Sequence, residues 1–173
     1  MTYPPSGVIS HVFANAGVAG GGFQFTTPDA TNDPPEPALP AIRVNLIAAY
    51  YTFYIAAHFM SLSKSTEVID KSIILTASVM AQRAVPGVAD YCMSKAGVRG
   101  MFKALRPGLF VKRGIRLNML SPTFIATPLV NGMELAEHHF APIDHIVEAG
   151  LRLITDAKIH GKSVFEFEFH ANL

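Results

Sequence analysis

Three residues have the types and spacing for proton-transfer chemistry: Ser78, Tyr91 and Lys95, within "LTASVMAQRAVPGVADYCMSKAGVRGM". Tyr91 and Lys95 are four apart, so on a helix they share a face. An ammonium beside a phenol favours the phenolate and draws the tyrosine into a useful range for acid/base work. Ser78 follows a strand-like run, where its hydroxyl can hold a substrate oxygen near Tyr91. Taken alone, a Tyr-x-x-x-Lys pair carries little weight, because a solvated helix pair has the same spacing.

A second candidate lies at the start of the chain. The apolar run Val8–Phe13 leads into "AGVAGGG", Ala16–Gly22, as a phosphate-cradling loop would. A dinucleotide loop needs Gly-x-Gly-x-x-Gly opening a helix. Here the order is Gly17, Gly20, Gly21, Gly22, with Ala19 at the second motif position, and "FQFTTPDATNDPP" discourages a helix after it. The Gly-Lys-Ser/Thr of a P-loop is also lacking. The spacing and context both reject a phosphate loop. His138, His139 and His145 lie near Glu134 and Glu137, but adjacent histidines diverge on a helix, so no metal site is expected. Cys92 reads as a buried structural thiol. Tyr50, Tyr51, Phe53 and Tyr54 read as core or interface packing.

These residues need elements to position them. Val8–Ala14, Ser72–Ala77, Gly114–Pro122 and "SVFEFEF" read as strands; Ala41–Ser63, Asp90–Phe110 and about Pro142–Asp156 read as helices. The first helix is apolar almost all round and is expected to be buried, entered through Pro40. The second is expected to be disturbed at Pro107–Gly108. Phe23–Pro40 and Met80–Val88 read as loops. Strands alternating with helices imply an α/β fold with a parallel sheet, and 173 residues fit a single domain. Half the residues are apolar and 16% are charged, with mean hydropathy +0.29. That balance suggests a chain that buries surface against a partner. A net charge of +1 without basic runs gives nucleic acid no support. Arg43, Asn45 and His58 interrupt the best membrane-span candidate, Ala41–Met60. One cysteine and an opening "MTYPPSG" without signal-peptide features fit a cytoplasmic protein.

With the elements in order, the sequence resembles the short-chain dehydrogenase/reductase family over nearly its whole length. "ANAG", Ala14–Gly17, is similar to the family's Asn-Asn-Ala-Gly turn after its fourth strand, with alanine in the first position. Asn45 in "RVNLIAAY" stands where the family keeps a helix asparagine, and Ser78, Tyr91 and Lys95 stand in its catalytic order. "IRLNMLSPTFIATP" looks like the sixth strand and the cofactor loop after it, with Pro122 kept and Thr123 in place of the usual glycine. The resemblance implies that Tyr91 exchanges the proton on the substrate oxygen and that Lys95 lowers the tyrosine pKa and binds the nicotinamide ribose. It implies that Ser78 orients the carbonyl or carbinol and that Asn45 holds a relay water. Asn15, Ala16, Gly17, Pro122, Ile125 and Thr127 would line NAD or NADP.

The same resemblance places Met1 just before the family's fourth strand. The expectation is therefore a partial Rossmann-like sheet, the C-terminal half of the fold, without the Gly-rich βαβ half that grips adenosine and diphosphate. Such a chain alone should hold a dinucleotide poorly, and Val8–Ala14 should form an exposed apolar edge. A homo-oligomer or a complex with another chain of the family follows, with the helices Ala41–Ser63 and Asp90–Phe110 at the interface. The functional expectation is an oxidoreductase acting on a hydroxyl or ketone of a small apolar molecule, compatible with a secondary metabolite. Two alternatives stay open: a cofactor-independent isomerase, dehydratase or cyclase on the same Tyr/Ser/Lys site, or an inactive partner subunit of a full-length relative. Phe124–Phe140 is expected to be a mobile lid over an apolar substrate.

Overall fold

The computed structural model describes residues 8–21, 33, 36–62, 69–131 and 140–165. In chain order the strands are β1 (His11–Ala14), β2 (Lys71–Thr76), β3 (Ile115–Ser121), β4 (Phe124–Ile125), β5 (Phe140–Ala141) and β6 (Ser163–Phe165). The main sheet runs β1-β2-β3-β6, and β4 pairs with β5 in a small second sheet. All pairings in the main sheet are parallel. Parallel neighbours need crossover connections. Helices supply them: one ending in α1 (Ala49–Leu62), then α2 (Ala89–Arg113) and α3 (Ile143–Thr155).

Alternation along the strands divides the core into two layers. Ile73 and Leu75 of β2 and Leu117 and Met119 of β3 pack with Phe53, Met60, Val98 and Phe102 of α1 and α2. Ile74 and Leu120 point the other way, onto Ala149 and Leu153 of α3. All seven residues of β3 are buried, as a central strand covered on both faces requires. The α/β class and the parallel sheet are as the sequence implies.

Several details differ from the sequence reading. The first helix is not buried all round: Phe53, Ala56 and Met60 face the core, while Tyr50, Tyr51, Tyr54 and Ile55 are exposed. Its opening turns, Ile42–Ala48, are a π-helix, a departure that hydrophobic pattern does not encode. α2 runs unbroken through Pro107 and Gly108. Pro107 and Lys103, whose carbonyl loses its helical donor, are both exposed, so water can take that acceptor. The helix ends at Gly114, in the left-handed conformation at φ 65° that glycine adopts without penalty. β1 is shorter than expected, and its neighbour on the described side is β2 alone, with Phe13 42% exposed. The last expected strand is described only as far as Phe165, and most of the expected lid, including Glu134, Glu137, His138 and His139, lies outside the described residues. Among the described residues no metal-binding group is gathered, and no helix is long and apolar enough to cross a membrane.

Arg116 ties α3 to the sheet. It is 1% exposed and makes a bidentate pair with Asp70, from Nε at 2.8 Å and from Nη2 at 2.5 Å. Its remaining N–H groups donate to the carbonyls of Leu153, Ile154 and Ile159, each at 2.8 Å. A guanidinium carries five donors, so each one is satisfied.

Candidate active site

The candidate residues gather at the C-terminal ends of the strands, where open parallel sheets bind their ligands. Ser78 lies two residues beyond β2 and is 6% exposed. Its hydroxyl accepts from the Met80 amide at 3.2 Å and lies 3.5 Å from the Pro122 carbonyl. It also acts on the Tyr91 phenol, whose pKa it lowers. The Val79 amide donates to the same Pro122 carbonyl at 2.9 Å, which fastens the segment after β2 to the one after β3.

Tyr91 and Lys95 lie on one face of α2, as their spacing predicts. Lys95 is 4% exposed; its Nζ lies 5.7 Å from the centre of the Tyr91 ring and donates to the Thr76 carbonyl at 2.9 Å. Burial lowers the ammonium pKa from 10.5 to about 8. The tyrosine behaves differently from the expectation that Lys95 draws it down. Burial pushes the phenol above its ordinary value, the Ser78 hydroxyl opposes this, and Cys92 adds to it. The phenol is therefore protonated at neutral pH, the state required of a general acid.

Asn45, on the π-helical turns, is 1% exposed. Its Oδ1 accepts from the Val18 amide at 2.8 Å, and its Nδ2 donates to the Val18 carbonyl at 3.0 Å and to Ser94 Oγ at 3.1 Å. With both amide hydrogens engaged, the side chain anchors the turn after β1. A π-turn inserts one residue into the helical register and is frequent at functional sites. Asn15, Ala16 and Gly17 are exposed on this turn. A Cβ on Gly17 would lie 3.4 Å from Asn45 Oδ1 and 3.7 Å from Lys95 Nζ, so the turn passes directly beside the lysine.

The glycine cluster also uses its own amides. The Val18 N–H goes to Asn45, and the Gly21 N–H donates to Asp90 Oδ2 at 3.0 Å. These amides face side chains of the protein, which agrees with rejecting a phosphate loop. Sequence reasoning missed Asp90 and Ser94. Asp90 had one readable signal, an acidic residue in the first turn of a helix; nothing in the pattern pairs it with glycines 69 positions away.

Pro122, Ile125 and Thr127 follow β3, and all three are half-buried. Ile125 belongs to β4, whose pairing with β5 holds this segment; Thr127 precedes the short turn Pro128–Val130. The donor set fits the nicotinamide end of a dinucleotide: a buried ammonium, a protonated phenol and a side-chain-free backbone at Gly17 lie together. Beside them, Thr76 Oγ1 is buried and has no protein hydrogen-bond partner. The described turn at Val18–Gly21 does not fit a diphosphate, since the Val18 and Gly21 amides are engaged.

Comparison with known proteins agrees with this geometry. A family model described as enoyl-(acyl carrier protein) reductase matches residues 5–150. The 5'-hydroxyaverantin dehydrogenase of Dothistroma septosporum is 33% identical over 142 residues, covering 75% of this chain and 46% of that protein. Its namesake in Emericella nidulans is 30% identical over 176 aligned residues, 92% of this chain and 54% of the relative. An NADP-dependent dehydrogenase of a Phoma species is 27% identical over 154 residues, 78% of this chain and 44% of the relative. The chain spans about half the length of these curated relatives. The ordered Ser78, Tyr91 and Lys95 on a parallel α/β sheet, together with these matches, place the chain in the short-chain dehydrogenase/reductase family.

Proposed function

We propose that this chain carries the acid/base site of an oxidoreductase that interconverts a hydroxyl and a ketone on a small apolar substrate. The observation that carries the reading is buried Lys95 Nζ 5.7 Å from the Tyr91 ring, with Ser78 among the groups that act on the phenol. NAD or NADP, when bound, supplies the hydride chemistry. Tyr91 gives its proton to the substrate oxygen during reduction and recovers it during oxidation. Ser78 orients that oxygen. Lys95 supplies a positive charge beside the phenol and would hold the ribose, with Gly17, Ile125 and Thr127 along the nicotinamide. Two relatives are named for dehydrogenating a hydroxylated compound and one for NADP dependence, which supports an alcohol substrate and makes NADP the first cofactor to test.

A panel of secondary alcohols and ketones with NADPH and NADH tests this reading. Tyr91→Phe is expected to lower turnover by about 10²–10⁴-fold. Turnover that survives this substitution would remove Tyr91 from the mechanism. A second reading is favoured by the engaged Val18 and Gly21 amides: a cofactor-independent isomerase, dehydratase or cyclase working through the same phenol. Turnover without nucleotide that is lost in Tyr91→Phe would select it.

We also propose that the chain works in association, as a homo-oligomer or with another member of the family. Exposed Tyr50, Tyr51, Tyr54 and Ile55 on α1 and the β1 edge, which has no second neighbour among the described residues, support this. Light scattering that finds a stable, well-folded monomer would overturn it.

A further inference from the structure

Tyr91 is held by its backbone as well as by its ring. Its amide donates to Asp90 Oδ1 at 2.9 Å, and its carbonyl accepts from Ser94 Oγ at 2.7 Å. Each of these partners also reaches the turn after β1. Asp90 Oδ2 accepts from the Gly21 amide, and Ser94 Oγ accepts from Asn45, which grips Val18 on both sides. The turn is thus tied to the catalytic tyrosine at two points. Just before the first of them, Gly17 passes beside Lys95 Nζ.

The Asp90 tie accounts for the glycines. A Cβ on Gly20 would lie 2.0 Å from Asp90 Oδ1 and 2.5 Å from its Cγ and Oδ2. Any side chain there expels the carboxylate. Asp90 is 6% exposed, and its carboxylate binds backbone amides of both segments at the N-terminus of α2, where negative charge is favoured. The glycine cluster is a binding turn after all, and the anion it receives belongs to the protein.

We propose that Asp90 is a positioning residue: by bridging the Gly21 and Tyr91 amides, it sets the turn after β1 against the Tyr91–Lys95 pair and keeps water from the phenol. This rests on Tyr91 as the acid/base, but its test needs neither substrate nor cofactor. Asp90→Asn keeps the size of the side chain but replaces one acceptor oxygen with a donor facing an amide donor. Gly20→Ala keeps the negative charge and displaces it. The two variants reach the same tie from opposite sides.

The readout is the ionisation of the Tyr91 phenol, followed by phenolate absorbance, with each variant referenced to the same protein carrying Tyr91→Phe. The groups facing the phenol are Ser78, Cys92 and Lys95, with Asp90 adjacent in the chain. Loosening the tie admits water, so both variants should lower the midpoint by about half a pH unit or more, about threefold in the ionisation constant. Exchange of the Gly21 and Tyr91 amide hydrogens should quicken in both, measured in the folded fraction. A midpoint that moves in Asp90→Asn but not in Gly20→Ala would reduce Asp90 to a nearby charge and overturn the proposal. Unmoved midpoints in both, with only a lower melting temperature, would overturn it equally. Failure of the dehydrogenase reading would instead appear as an absence of turnover, with the midpoint shifts intact.

Discussion

Lys95→Met offers a sharp test of the site, because the residue proposed for the chemistry is one the fold would do better without. Lys95 is 4% exposed, and its Nζ has the Thr76 carbonyl as its hydrogen-bond partner. Burial takes its pKa from 10.5 to about 8. At about 1.4 kcal/mol per pH unit, holding the ammonium in the fold at pH 7 costs about 3 kcal/mol. Methionine has similar length, fills the same volume and carries no charge. Losing the bond to Thr76 costs about 1 kcal/mol, so the variant should be more stable than the parent by about 2 kcal/mol at neutral pH. The sign with pH follows from linkage. Because the folded pKa is depressed, the unfolded chain binds the extra proton between pH 8 and 10.5. The parent should therefore gain stability as pH rises through that window, and the variant should not. Urea unfolding followed by circular dichroism at a series of pH values measures this; the chain contains no tryptophan to report by fluorescence. The gap between the two proteins should narrow from pH 7 to pH 10 while the variant loses turnover. A destabilised variant, or a gap independent of pH, would refute the buried-ammonium argument.

Arg116→Met should lower stability by about 3–5 kcal/mol in the same assay, since it removes a buried guanidinium paired with half-buried Asp70 and strips three carbonyls of their donor. A loss under about 1 kcal/mol would show that α3 is held by its apolar contacts alone. Asp70→Asn tests the other end of that pair. The Arg116 hydrogen bond holds the Asp70 carboxyl below its ordinary 3.8, so its contribution is present above that value and is lost as pH falls through the lower folded value. The parent should be more stable than the variant at pH 6, and the two should converge in strong acid; a difference that persists there would remove the carboxylate as its cause.

The parts of this molecule legible in the sequence share one property: their signals are local. β2 and β3 show as apolar runs because both of their faces are covered, and Tyr91 and Lys95 meet because four residues make about one helical turn. The π-turns at Ile42–Ala48 were not legible, because the same apolar residues suit an α-helix and the deviation turns on what Asn45 grips. Pro107 misled in the opposite direction: its residue type predicts a break, while its exposure removes the penalty. The rise in the Tyr91 pKa depends on burial, which spacing does not report. Arg116 reads as a strand charge and proves to be a five-bond hub.

The turn after β1 shows why local reading runs out at the active site. Gly17, Gly20 and Gly21 are each unusual residues to find together, and the sequence offers no partner for them. In three dimensions two of them have separate reasons: Gly17 passes Lys95 Nζ, and Gly20 lies where a Cβ would enter the Asp90 carboxylate. Asn45 and Asp90 come from different helices, yet both hold this turn, and both connect to Tyr91 through its own backbone. Three strand ends therefore converge on Tyr91: β1 through the glycine turn tied to its backbone, β2 through Ser78, and β3 through the Pro122 carbonyl that Ser78 and Val79 share. That convergence needs only the parallel sheet and its helices. An acid/base site can thus be set up within these described residues, and the positions that fix it are backbone amides whose partners lie far away in the chain.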